Sequence, residues 1–240
     1  MGVIVPAVLP ASREDLDAKL ARFVGLVDTV QLDVIDGSFA SPASWPYTSG
    51  TKAFEAFVAS GGPLPHVADF KFEIDLMTAR PEEAIGSWVA LGASRITVHL
   101  ESTTYLPRIV SDFNQKYGHE RGFAPDLLSF GFAIGMQANP MLLEPFIKDL
   151  DYVQFMGIDV VGKQGMPFDP GVIERVRAFK RAHPDTEVQV DGGVTLETAP
   201  ALLDAGADRL IVGHALRDAS DVAAALRAFT ELTEKYGIYR

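Results

Sequence analysis

The chain has 240 residues, 48% of them hydrophobic, no cysteine, and a formal charge of -11. That is enough apolar material for one large core, and the lack of thiols excludes a disulfide framework, thiolate zinc sites and a catalytic thiol. The acidic balance argues against nucleic acid, whose phosphates need clustered Lys and Arg, although a small phosphate ester held by backbone N–H groups stays compatible with it.

In chain order, short apolar runs bounded by turn residues alternate with stretches of helical spacing. Strands are expected at about 3–9, 29–35, 70–77, 95–100, 129–135, 151–157, 187–191 and 208–213. Helices are expected between and after them, at about 13–26, 51–60, 81–91, 105–117, 141–149, 170–183, 195–205 and 219–236. Ser12 stands as the first N-cap, and Pro81 and Pro170 open two of the others. One helix per strand over residues 1–240 predicts a single parallel (β/α)8 TIM barrel. An open doubly wound sheet would put a glycine-rich turn after its first strand, where this chain has PAVLPAS. The turn-rich connections Ser38 to Gly50 and Gly118 to Pro125 are long enough to contribute to a site. No stretch is suited to cross a membrane, and the N-terminus lacks a basic flank followed by an apolar run, so a soluble, cytoplasmic location is expected.

In such a barrel the reactive groups stand at the C-terminal ends of the strands. Alternation puts Gln31, Asp33 and Ile35 on one face of the second strand, Asp75 with Met77 on the third, and Gln189 with Asp191 on the seventh. Leu32, Val34, Ile74, Leu76, Val188 and Val190 then face the helices, and the acids point into the barrel mouth. Two opposed carboxylates suit removal of a proton from one face of a carbon beside a carbonyl and its return on the other. Asp36, followed by Gly37, reads better as a cap. Gly192 and Gly193 after the seventh strand, and Gly213 after the eighth, lie where such barrels hold phosphate, and each also has the plainer reading of a turn glycine. His99 reads as a satisfied interior histidine on the same inward face as Thr97. With Gln154 and Gln189, this makes an unusually polar barrel interior.

Taken together, QLDVIDGSF, DLM, ITVHLES, the segment DYVQFMGIDVVGKQGMPF, VDGGV and AGADRLIVGHAL resemble, in order, the strand-end motifs of the ribulose-phosphate 3-epimerases. The resemblance implies proton exchange at C3 of a ketopentose phosphate, converting D-ribulose 5-phosphate to D-xylulose 5-phosphate, with Asp33 and Asp191 as the two acid/base groups. It also implies a divalent metal bound by two His and two Asp, but the two His positions fall here on Gln31 and Asp75. A set of Gln31, Asp33, Asp75 and Asp191 offers oxygen, which favours Mg2+ or Mn2+ over Zn2+. The family's apolar, sulfur-rich cap over the substrate falls on Ile35, Met77 and Met156, the latter two being equally readable as core fillers. Its phosphate grip falls on Gly192, Gly193, Gly213 and His214, where the family has serine at the last position. The glycine-rich loop after the sixth strand is diluted to Val160 through Gly165, with Lys163 as a substitute charge, and Ala7 stands where the family has serine.

The partner expected is thus a small phosphorylated sugar. The alternatives are another phosphosugar epimerase or lyase of the same barrel type, against which the absence of a strand-end DxK pattern counts, and a non-catalytic phosphosugar-binding barrel. Barrels often form homo-oligomers through outer helices. Phe54, Phe57 and Trp88 are candidates for such contact, although packing of helix onto barrel explains them better.

Overall fold

A computed structural model describes residues 2–118 and 127–237. Beyond Gly118, the connection expected at Gly118 to Pro125 falls outside the described residues. The strands are β1 (Val3–Val8), β2 (Thr29–Ile35), β3 (Lys71–Met77), β4 (Ala93–His99), β5 (Ser129–Ile134), β6 (Tyr152–Met156), β7 (Glu187–Asp191) and β8 (Arg209–Val212). They pair in parallel in chain order, and β1 pairs with both β2 and β8, so the sheet closes into the expected barrel. The helices are α1 (Arg13–Ala21), α2 (Thr51–Ala59), α3 (Pro81–Ala90), α4 (Leu106–Tyr117), α5 (Gly171–Ala182), α6 (Ala199–Ala205), α7 (His214–Arg217) and α8 (Val222–Gly237).

Three expectations need correction. The helix expected at 141–149 is instead two 3-10 turns, Pro140–Leu143 and Ile147–Asp149. Pro145 lies between them, and a proline at that position has no N–H to continue an α-helix. The first helix ends at Ala21, before the turn that holds Gly25 at φ 74°. The helix expected from 195 starts only at Ala199, because Thr195 and Thr198 hydrogen-bond each other and Thr198 Oγ1 donates to the Gly193 carbonyl at 3.0 Å.

Apolar alternation places the main core between barrel and helices. Leu32, Val34, Ile74, Leu76, Val188 and Val190 are all buried there. Trp88 stacks on Phe54 with ring centroids 5.0 Å apart, joining α3 to α2, and Phe57 meets Trp45 edge-on at 4.9 Å. These aromatics therefore serve helix packing: Phe54 and Trp88 are buried and Phe57 is partly so.

The barrel interior is layered by polarity. At the N-terminal end of the strands, Arg209 pairs with Glu73 and Arg95 with Glu187. Arg95 also lies 3.6 Å above the Tyr152 ring, whose hydroxyl is 2.7 Å from Thr97 Oγ1. The next layer is a belt of amides. Arg209 donates to Gln189, Gln189 donates to Gln154, and Gln154 donates to Asp75 Oδ2 at 3.3 Å. This chain of donors runs from the charged floor to the acids at the mouth, and it accounts for glutamines where barrels usually carry Val, Ile and Leu.

Candidate active site

Asp33 and Asp75 are register partners at the ends of β2 and β3, and Asp191 ends β7, three strands from β2 around the closed barrel. Each of the three offers a carboxylate oxygen, and these oxygens lie within 4.8 Å of one another. Asp33 and Asp75 are buried and Asp191 is half-buried at the rim. The Gln31 amide nitrogen sits between two of them, donating to Asp33 Oδ1 at 3.0 Å and to Asp191 Oδ2 at 2.8 Å. Asp75 accepts from Gln154 and lies 3.0 Å from His99 Nε2. His99 is thus a satisfied interior histidine, and its partner is one of the site acids.

Burial pushes the Asp33 carboxyl well above the usual carboxylate range, and the charges of Asp191 and Asp75 push it further. Burial, followed by the charge of Asp75, raises Asp191 to about 7. For His99, burial disfavours the cation, but the charge of Asp75 and the hydrogen bond to it outweigh burial, so its pKa rises. The cluster therefore pairs a carboxyl whose proton is held more tightly than usual with one poised near neutral pH, a pairing suited to proton exchange.

The expected site residues converge, with two exceptions. A cavity of about 40 Å³ at the mouth is lined by Asp33, Asp75, Asp191, Met77 and Met156, and by Gly192, Gly193, Gly213 and His214. Ile35 lies just behind it, packed on Ala40 and Met77. Gln31 lies below the cavity, and contrary to expectation its nitrogen, not its oxygen, faces the acids, because the oxygen accepts from Gln189 at 3.5 Å. Gly192 and Gly193 take φ of 97° and 69°, and a Cβ would come within 2.7 Å of Ile158 at the first and of Phe168 at the second. The turn itself therefore requires both glycines, whatever they bind. Asp36 accepts backbone N–H bonds from Ser38, Phe39 and Ala79 at 2.7, 3.0 and 2.8 Å, so it is a cap. Sequence reasoning named Gln164 only as part of the diluted loop after β6, from which it reaches the mouth, and missed Ile158, Val194 and Ile211, which form its apolar wall. Ile211 was legible from alternation in β8, opposite Asp191; the others come from loops without periodicity.

Three carboxylate oxygens at this spacing fit a hard divalent cation, and the raised pKa values of two of these acids mark a cluster short of positive charge. Among the described residues, His99 is the one basic side chain paired with it.

The chain matches the model of the "Ribulose-phosphate 3 epimerase family" over residues 3–217. It is 27% identical to the ribulose-phosphate 3-epimerase of Bacillus subtilis over 228 residues, covering 91% of this chain and 93% of that protein. With the enzyme of the same name from Schizosaccharomyces pombe it shares 32% identity over 145 residues, 60% of this chain and 59% of the relative. Among solved structures it resembles 3-hexulose-6-phosphate synthase from Salmonella typhimurium with a TM-score of 0.64 and 17% identity, covering 98% and 99% of the two chains. That likeness is one of fold.

Proposed function

The chain belongs to the ribulose-phosphate 3-epimerase family, and on that premise we propose that it interconverts D-ribulose 5-phosphate and D-xylulose 5-phosphate with Asp33 and Asp191 as its two proton-carrying groups. It is a carbohydrate-phosphate epimerase, an isomerase, and its partner is a small phosphorylated sugar. The observation that carries the mechanism is the Asp33–Asp191 pair, bridged by the Gln31 amide and raised in pKa by burial.

In one direction the ionised carboxylate removes the C3 proton, and the electrons move into an enediolate. The protonated carboxyl then delivers its proton to the opposite face of C3, inverting the centre, and the two residues exchange roles in the reverse direction. Gln31 holds both carboxylates through its two N–H groups. Met77 and Met156 form the apolar side of the pocket, with Ile35 packed behind Met77, and exclude water from the enediolate. Gly192, Gly193, Gly213 and His214 hold the phosphate.

Asp33, Asp75 and Asp191 would hold the cation, and their oxygen donors would favour Mg2+ or Mn2+ over Zn2+. Gln31 joins them only if its amide turns over. When bound, the cation supplies positive charge to stabilise the enediolate.

The test is proton NMR of D-ribulose 5-phosphate with the protein and Mg2+ or Mn2+ in D2O. Deuterium should enter at C3 as D-xylulose 5-phosphate appears, and Asp33→Asn and Asp191→Asn should each slow this at least ~100-fold. Absence of exchange in the wild-type protein would reject the assignment.

A further inference from the structure

The loop between β6 and α5 folds back over the mouth and places one of its own side chains there. Gly162 and Gly165 take φ of 84° and 83°. Between them, Lys163 is exposed and Gln164 is half-buried. Gln164 Nε2 donates to the Ala7 carbonyl at 3.3 Å, and Gln164 Oε1 accepts from Arg217 Nη1 at 3.3 Å. The same side chain lines the mouth together with Asp33. It lies against Gly213 so closely that a Cβ there would be 2.9 Å from Gln164 Nε2.

One amide thus shares the mouth with a catalytic acid and contacts a strand carbonyl, a glycine of the phosphate grip and a guanidinium. Those are the partners a phosphorylated polyol asks for: an acceptor for a hydroxyl, and N–H groups with a cation for the phosphate. The remaining cavity of about 40 Å³ admits a few waters at most, whereas ligand pockets run to ~300 Å³ and more. The mouth in this form is too small for a sugar phosphate, and Gln164 is one of the side chains that fill it. Arg217 is held ready for an exchange, because Asp218 takes its Nε at 2.7 Å and its Nη2 at 3.0 Å, which fixes the plane of the guanidinium and leaves Nη1 on Gln164. Its bond to a neutral amide carries charge on the donor alone, whereas a phosphate would bring charge to both sides of the bond.

We propose that Gln164 is an internal stand-in for the substrate, and that Arg217 is the phosphate-binding cation it occupies until a sugar phosphate displaces it. This rests on the phosphosugar assignment of the mouth. Ordinary substrate affinity is then set by a competition within the chain, so the two residues act in opposite directions. Removing Gln164 strengthens phosphate binding, and removing Arg217 weakens it.

The experiment combines steady-state kinetics on D-ribulose 5-phosphate with calorimetric titration of inorganic phosphate into the wild-type protein and variants whose melting temperatures have been matched. Gln164→Ala should lower KM and the phosphate Kd about 3- to 10-fold, more than it changes kcat. Arg217→Gln should raise both about 10- to 100-fold, with partial recovery in Arg217→Lys. Unchanged or weaker phosphate binding in Gln164→Ala, or unchanged binding in Arg217→Gln, would overturn the proposal. A wild-type protein that binds phosphate but shows no turnover would reject the epimerase assignment alone, since the calorimetric ranking still decides the roles of Gln164 and Arg217.

Discussion

Asp75 is fully buried, and both of its carboxylate oxygens are matched to side chains from other strands, Oδ1 to His99 and Oδ2 to Gln154. A buried charge that loses its partner costs about 3–5 kcal/mol, far more than an exposed pair contributes. His99→Phe keeps the ring contact with Phe39, whose centroid lies 5.3 Å away, but removes the donor. It should lower the melting temperature by about 10 °C, whereas His99→Gln, which retains an N–H, should lose much less. Equal losses in the two variants would mean that ring packing, not the bond to Asp75, is what His99 provides. The sequence marked Asp33, Asp75 and Asp191 because strand alternation alone turns them inward. It left the role of His99 hidden, because Asp75 lies opposite Thr97 and His99 is its diagonal neighbour, a relation that only the register of β3 on β4 fixes. The orientation of Gln31 was hidden in the same way, since its amide is turned by Gln189 from across the barrel.

At the scale of the element, β5 shows how the barrel accommodates its polar filling. Its outward residues Phe130, Phe132 and Ile134 are large and its inward ones, Gly131 and Ala133, are small. Gly131 is the register partner of Tyr152, and a Cβ on it would come within 2.5 Å of the ring. That ring cannot easily retreat, with Arg95 on its face and Thr97 on its hydroxyl. Gly131→Ala should therefore destabilise the protein by about 1–3 kcal/mol, and Gly131→Ala combined with Tyr152→Leu should cost less than the sum of the two single changes. Additive losses in urea unfolding would show that the Gly131–Tyr152 contact is not the cause. The strand itself was legible from its alternating apolar run, but the need for glycine was not, because the ring that demands it arrives from β6. The helix expected just after β5 failed for a local reason that was already visible in Pro145.

Across the whole molecule the acidic excess is distributed unevenly through the interior. On the floor of the barrel Glu73 and Glu187 each face an arginine, whereas at the mouth three acids share one histidine. Folding therefore raises the pKa of Asp33 and Asp191, the latter to about 7, and also raises that of His99. All three groups bind protons more tightly in the folded chain than in the unfolded one, where a carboxyl titrates near ~4. Stability from these groups is present at low pH and is lost as pH rises through the folded values, so stability should decline between about pH 5 and 8. In chelator, the melting temperature should fall over that interval by several degrees, and Asp191→Asn, which removes one of the titrating carboxyls, should flatten the decline. Millimolar Mn2+ should restore stability mainly at the upper end, where the acids are ionised and able to bind it. A melting temperature that is flat or rising in chelator would contradict the raised carboxyls on which the two-aspartate mechanism depends. A decline that Mn2+ leaves unchanged would keep the proton-sharing pair and remove the cation from the site.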